Sequence, residues 1–571
     1  EDITFPEGET TVDYSFTNGY VFGSMYAASS PFQSMYYITD TGVGTNFSAV
    51  GVSFVLSRMA DIPITVQQKV YYDMKLNVTD GETVLTDYTF TLSDPDGNAL
   101  TPDENGIYQD LGYGEYTYTL SKRGYVGQNG TLKLGSADAE NVIDGILIKT
   151  IVAVKAAEGA WDGVTVTEPA AVDGVYQIGT GAELAWFAQT VNAGTTGISA
   201  VLTADIDLAC YNWTPIGNST NKLAGSIDGQ GHKVCNMTII NTAATTGTGY
   251  GLIGYMNGGS VQNLTVEGTI DLTNSASVSN GYTGGVIGAC SGSVTLNNVH
   301  ANVDITITRV KGNWARVGGL VGNGGSITIT NCSNSGDISG YQYVGGIVGY
   351  LASGTVTGCY NAGEISGYQY VGGIAASGAP GTVTSCYNVG GVTATNNYVG
   401  GIISSASSTS TLSNCFNAGT ITFGGTSAYA GAVVGYSNNA NGTNANLYYL
   451  EGTYSTGIGT NKNTVDAAAV SAETLASADF VTTINTGLET AAFVAGTGHP
   501  ILVWQVSSEE PVKGDIDGDG KINAMDAAMI YKFVKNNTEL TEEQLSACDM
   551  NGDGKINALD AALIYKLVAT K

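Results

Sequence analysis

Two short loops near the end of the chain place oxygen-bearing side chains at positions 1, 3, 5, 9 and 12. In the first, within GDIDGDGKINAMDAAMIYKFV from Gly514, these are Asp515, Asp517, Asp519, Asn523 and Asp526. In the second, DMNGDGKINALDAALIYKLV from Asp549, they are Asp549, Asn551, Asp553, Asn557 and Asp560, and equivalent residues lie 34 positions apart. Gly520 and Gly554 sit at position 6, where the chain must turn sharply, and Lys521 and Lys555 at position 7 can offer only a backbone carbonyl. This is how a short loop cages a hard cation that takes six to eight oxygens, and it implies calcium, one ion in each loop. An amphipathic helical pattern follows each copy. Acidic solvated turns would not need the same spacing twice.

Position 12 is Asp rather than the Glu of an ordinary EF-hand, and no clear helix leads into the first loop. In this combination Gly514 to Lys571 resembles a type I dockerin. The resemblance implies a partner, the cohesin module of a scaffoldin. It also implies contact through loop positions 10 and 11 and the helix beyond them: Ala524, Met525, Tyr531 and Lys532 in one copy, Ala558, Leu559, Tyr565 and Lys566 in the other. Two near-identical faces related by a pseudo-two-fold could each dock the same partner. The competing use of these apolar residues is core packing, since a small module must bury something. Between the copies, Thr541-Glu542-Glu543-Gln544 has the form of a capping box opening a short helix.

The elements that carry these loops belong to a long chain. Its 571 residues have room for several domains. A net charge of −29 argues against nucleic acid and against anionic membrane surfaces. Only 12% of residues are charged while glycine numbers 79, so the surface must be largely Ser, Thr, Asn and Gly. That suits an extracellular β-rich repeat protein. None of the eight cysteines falls in a C-x-x-C pattern, and no run of about 18 apolar residues suggests a membrane span. No signal peptide is visible at Glu1, so secretion rests on the dockerin resemblance.

Residues 1–70 are β-rich but of unclear type, with alternation at Thr11-Val12-Asp13-Tyr14-Ser15-Phe16. Over 71–155, short alternating runs separated by turns such as Asp94-Pro95-Asp96-Gly97 predict a small antiparallel β-sandwich. It resembles the carboxypeptidase-regulatory-like or PEGA-like spacers of bacterial surface proteins. Residues 156–248 combine a helical run, with Leu184, Phe187 and Ala188 on one side, with LTADIDL, WTPIG and DGQGH. This order resembles the N-terminal cap of GLUG-repeat proteins.

Over 249–445 a Gly-Gly-apolar motif recurs as GGVIG, GGLVG, GGIVG, GGIAA and GGIIS, flanked by YGLIG at Tyr250 and GAVVG at Gly431. A second track, NCSNSG, GCYNAG, SCYNVG and NCFNAG, runs in phase. Such periods without a long helix imply a solenoid, here a right-handed parallel β-helix or β-roll of the GLUG type. Ile347, Ile374 and Ile402 should ladder inside. Cys332, Cys359, Cys386 and Cys415 should form a second ladder of buried small hydrophobes rather than disulfides or a metal track. Asn334, Asn361, Asn388 and Asn417 should satisfy turn backbone. Residues 446–506 resemble the C-terminal cap of the same family, and 507–513 form a polar linker to the dockerin at 514–571. The fold class is therefore mostly β, with N-terminal sandwich material, a solenoid and a small α-helical paired-loop dockerin.

Catalytic signals are sparse. GLUG repeats also accompany metallopeptidases of the immunoglobulin A protease type, but no H-E-x-x-H occurs here, which excludes that chemistry for this chain. Asp205, Asp207, Asp228 and His232 are the candidates for polysaccharide chemistry along a solenoid face, and turn hydrogen bonding is their simpler role. Tyr341, Tyr343, Tyr368, Tyr370 and Tyr398 recur just before the Gly-Gly motif, either as packing or as a sugar platform. The leading reading is a non-catalytic binding or display protein with a glycan or host-surface ligand. The alternative is a dockerin-borne carbohydrate-active enzyme.

Overall fold

The computed structural model describes residues 71–571 except 241–248, 274–280, 308–314, 379–380, 426–428, 439–442, 463–465, 507–512, 518–521, 537–539, 541, 552–554 and 570–571. Before residue 71 it describes the backbone of five strands, among them Thr11–Phe16, which pairs antiparallel with Ile62–Gln68. The chain forms two compact units, Glu1–Val470 and Ser471–Lys571.

The sandwich is built from β1 (Tyr72–Thr79), β2 (Thr89–Ser93), β3 (Ala99–Leu100), β4 (Ile107–Leu111), β5 (Gly114–Ser121), β6 (Gln128–Leu134), β7 (Val142–Ile143) and β8 (Ile146–Val152). One sheet has the order β6-β5-β2-β3 and the other β7-β8-β1-β4. Alternation puts Tyr72, Met74, Leu92, Tyr116, Leu134 and Leu147 in the core between them. The sheets are not purely antiparallel as expected: β1 and β8 pair in parallel, Met74 opposite Leu147. Local alternation fixes which face a residue takes but not which strand lies beside it.

A capped helix opens the next segment. In α1 (Gly181–Asn192) the Thr180 hydroxyl accepts from the Glu183 N–H at 3.3 Å, and Glu183 Oε2 accepts from the Gly179 N–H at 2.8 Å. Leu184, Phe187 and Ala188 are buried, as the helical period predicts. Strands in parallel register then coil into a β-solenoid of about seven turns. One ladder runs Ile253, Ile287, Val321, Val348, Ala375, Ile403, Val434 and Ile458, all in register and all buried. The Ile347, Ile374 and Ile402 ladder lies beside it, each N–H donating to the next turn's carbonyl at 2.9 Å. The parallel register extends past residue 445, because Thr443–Leu450, Ile458–Asn461 and Ala468–Val470 still pair with the turn before.

The Gly-Gly motif has a steric cause. A Cβ at Gly346 would collide with the Gly373 carbonyl oxygen and with the amide of Asn361, and Gly373 is placed the same way over Asn388. The asparagine ladder fills the space that glycine leaves. Each Nδ2 donates to the next rung's Oδ1 (Asn334 to Asn361 2.8 Å, Asn361 to Asn388 2.7 Å, Asn388 to Asn417 2.8 Å) and to a glycine carbonyl two residues on. The cysteine ladder is buried and free of disulfides, its thiols donating to carbonyls such as Thr330 O at 3.1 Å and Thr357 O at 3.3 Å.

The second unit contains α2 (Ala472–Leu475) and α3 (Ala478–Ile484), then α4 (Ala524–Asn536), α5 (Glu542–Cys548) and α6 (Ala558–Ala569). Ile516, Ala527, Ile530, Ala547, Cys548, Ala561 and Ile564 form the small core of its last three helices.

Candidate metal centre and docking faces

Each cation loop folds back onto the start of the helix it precedes. In the first, Asp526 Oδ1 accepts from the N–H groups of Ile516 (2.8 Å) and Asp517 (3.3 Å), and its Oδ2 from that of Asn523 (2.8 Å). Asn523 in turn caps α4, its Oδ1 accepting from the Met525 N–H at 2.8 Å. The second loop repeats this. Asp560 accepts from Met550 (3.0 Å), Asn551 (3.4 Å) and Asn557 (2.9 Å), and Asn557 from Leu559 (2.9 Å). Asp526 and Asp560 are fully buried.

Asp515, Asp517 and Asp526 bring carboxylate oxygens within 4.8 Å of one another. Three such groups, one of them buried, repel each other unless a cation stands between them. All donors are oxygen, so the set fits a hard divalent ion. Asp519, Lys521 and Asp553 lie outside the described residues, as do Gly520, Gly554 and Thr541. Asp549, Asn551, Lys555 and Asn557 occupy the second loop at the positions their spacing requires, Asn557 Nδ2 reaching the Lys555 carbonyl at 3.4 Å.

The apolar residues beside the loops point outward. Met525 is 63% exposed, Tyr531 55%, Leu559 54% and Tyr565 53%, and Ala524, Lys532, Ala558 and Lys566 are exposed as well. Core packing is left to Ala527, Ile530, Ala561 and Ile564. The unit thus presents two matched apolar faces, one on each helix.

Residues 513–569 match the model of the dockerin type I domain. The chain carries a type I dockerin. The dockerin implies a cohesin partner, and type I dockerins bind calcium. Within the solenoid, residues 315–339 match the GLUG motif. No curated protein matches the chain. Among solved structures, one from Bacteroides ovatus, described as a candidate immunoglobulin A1 protease, is 20% identical with a TM-score of 0.36, over 59% of this chain and 95% of the other. A second, an IgA1 protease, is 11% identical with a TM-score of 0.28, over 79% of this chain and 36% of its own.

The solenoid candidates for chemistry sit at or beside strand ends: Asp207 and Asp228 end the short strands Ile206–Asp207 and Ile227–Asp228, Asp205 directly precedes the first of these, and His232 directly precedes the strand Lys233–Ile240. Asp205 Oδ1 accepts from the Lys233 N–H and meets His232 Nδ1, both at 3.1 Å. Asp207 accepts from Ala209 N and Asn236 Nδ2, and Asp228 from Gln230 N, Gln262 and Asn263. The hydrogen bond from Lys233 above all holds the Asp205 carboxyl below its usual range. Burial raises that of Asp228, but its three donors outweigh this and hold it low. Both directions keep a carboxylate ionised, opposite to what a general acid needs.

The tyrosines do stack. Tyr343, Tyr370 and Tyr398 lie 4.7 and 4.5 Å apart at 12° and 9°, and Tyr341 lies 4.8 Å from Tyr368. The sequence reading missed Tyr350 and Tyr436, which close the column from the side. The signal was present as GGIVGY and GAVVGY, with tyrosine directly after the glycine that closes each motif.

Proposed function

We propose that this is an extracellular, non-catalytic binding or display protein. Its dockerin would hold it to a cohesin on a cellulosome-like scaffold or a cell surface, with one calcium ion in each loop. The observation that carries this reading is the pair of exposed apolar faces, each beside an oxygen-lined loop whose buried aspartate braces the helix start. Calcium would set the loop, the loop would set the helix, and the helix would offer Met525 and Tyr531, or Leu559 and Tyr565, to the partner. No helix among the described residues is long and apolar enough to cross a membrane. The full chain should be retained by an immobilised type I cohesin in calcium and released by a chelator, with two ions bound per chain by titration calorimetry. Absence of retention across a panel of type I cohesins would sink the reading. The enzyme alternative has one observation on its side, the His232–Asp205 pair at 3.1 Å. Release of new sugar ends from a polysaccharide, lost in His232→Ala, would establish it.

A further inference from the structure

The register aligns one column of side chains along the solenoid: Tyr282, Arg316, Tyr343, Tyr370, Tyr398 and Tyr429. Tyr282 pairs with Arg316, and the later members each precede residues paired from turn to turn. A neighbouring column reads Asn323, Tyr350, Ser377, Ser405 and Tyr436. Tyr370 and Tyr429 cover both faces of Tyr398, so its contact with Tyr436 at 5.7 Å and 78° is edge to face. The stacked tyrosines therefore present ring edges rather than open faces. Tyr436 lies across their edges, and Tyr350 stands in the equivalent place at 5.6 Å and 87° from Tyr343.

Between Tyr350 and Tyr436 the second column drops to serine for two rungs. At about 4.8 Å a rung, this leaves a notch about 14 Å from ring to ring, with the half-buried Ser377 and Ser405 at its two inner rungs. Neither column contains a carboxylate, in a chain of net charge −29. Each contains or adjoins a cation: the Arg316 guanidinium lies 4.0 Å over Tyr350, and Lys462 Nζ lies 5.9 Å from the centre of Tyr436. Arg316 is half-buried and hydrogen-bonded to Asn323, and among the described residues no carboxylate pairs with it. The contacts of this partly buried cation, the Asn323 amide oxygen and the rings of Tyr350 and Tyr282, are all neutral, so an anionic group from outside would complement it.

We infer that this strip binds a glycan chain bearing carboxylate groups, laid along the solenoid axis with a sugar unit in the Ser377–Ser405 notch and a carboxylate at Arg316. The inference rests on reading the solenoid as a binding rather than a catalytic element. The test uses the full chain and an oligogalacturonate, with its methyl ester as the neutral match and polyglutamate as the acidic non-sugar. Calorimetry should show binding of the acid, at least tenfold weaker binding of the ester, and none of polyglutamate. Arg316→Gln should weaken binding at least tenfold. Ser405→Tyr, which continues the tyrosine wall into the notch, should weaken it comparably with the melting temperature unchanged, and it decides the matter should Arg316→Gln not fold. No binding of the acid, equal binding of polyglutamate or of the ester, or two folded variants that bind like the parent would each overturn the inference. Reducing ends are counted in the same samples. Their release would overturn the non-catalytic reading while leaving the ligand assignment to the binding data.

Discussion

Asp526 holds the first cation loop shut, and its replacement separates two effects. Asp526→Ala removes a proposed cation ligand and orphans the N–H groups of Ile516, Asp517 and Asn523. Each orphan costs about 1–3 kcal/mol where water cannot reach it. Asp526→Asn can keep part of this bonding through its remaining oxygen while losing the charge. Titration calorimetry should show one calcium ion lost in both variants, and melting should show the larger drop for Ala. A different residue class governs alkaline stability. Burial pushes the thiols of Cys359, Cys386 and Cys415 well above the ordinary value of 9.0, so they stay protonated in the folded chain. Unfolded, they ionise. Above pH 9 the unfolded state therefore binds fewer protons than the native one. The stability these thiols contribute is full below that pH and falls as pH rises, by about 1.4 kcal/mol per thiol per pH unit. Calorimetric melts from pH 8 to 10.5 should show this, and Cys386→Ala should flatten the slope by less than a third, since burial also pushes the thiols of Cys290 and Cys548 up to about 11. The clustering of Asp515, Asp517 and Asp526 was legible in the sequence because such a loop is local and its spacing is its geometry. The bracing of Asp526 against Ile516 was not, since an N–H leaves no trace in residue type.

The solenoid turn was legible for a related reason. Period and phase are enough to stack Ile347 on Ile374, and the Gly-Gly pairs mark where backbones approach. Its corners were less so. The residue before each ladder cysteine takes the left-handed conformation, with Asn331, Ser385 and Asn414 at φ of 54, 51 and 53°, and so do Tyr343, Tyr370 and Tyr398 at 49, 56 and 60°. Asparagine tolerates this conformation locally; for tyrosine it is costly and is held by the stack around it. The extension of the coil to Val470 was also hidden, because parallel register needs only backbone pairing and an apolar residue on the inward side. The turn should fail where its polar ladder is cut. Asn361→Leu leaves Asn388 Oδ1 and the Gly363 carbonyl without the donor they share, among fully buried asparagines, and takes from Asn334 Nδ2 one of its two acceptors. Two orphaned groups at about 1–3 kcal/mol each predict a loss of about 2–6 kcal/mol. Scanning calorimetry should show the solenoid transition move down while the calcium-dependent transition stays put. Movement of both together would refute the separation of the two.

The dockerin repeats at molecular level what the solenoid does within a domain, with one pattern used again in register. Its two faces share loop bracing, helix start and exposed residues over the 34-residue offset. If each face is sufficient, then Met525→Asp with Tyr531→Ala should leave cohesin binding within a few-fold of the parent, and so should Leu559→Asp with Tyr565→Ala. The four changes together should abolish it. These side chains are exposed rather than part of the core, so the substitutions should leave the fold intact, and calcium stoichiometry checks this directly. Loss of binding from the first pair alone would show that only one face docks. The two orientations of the partner on the dockerin would then collapse to one.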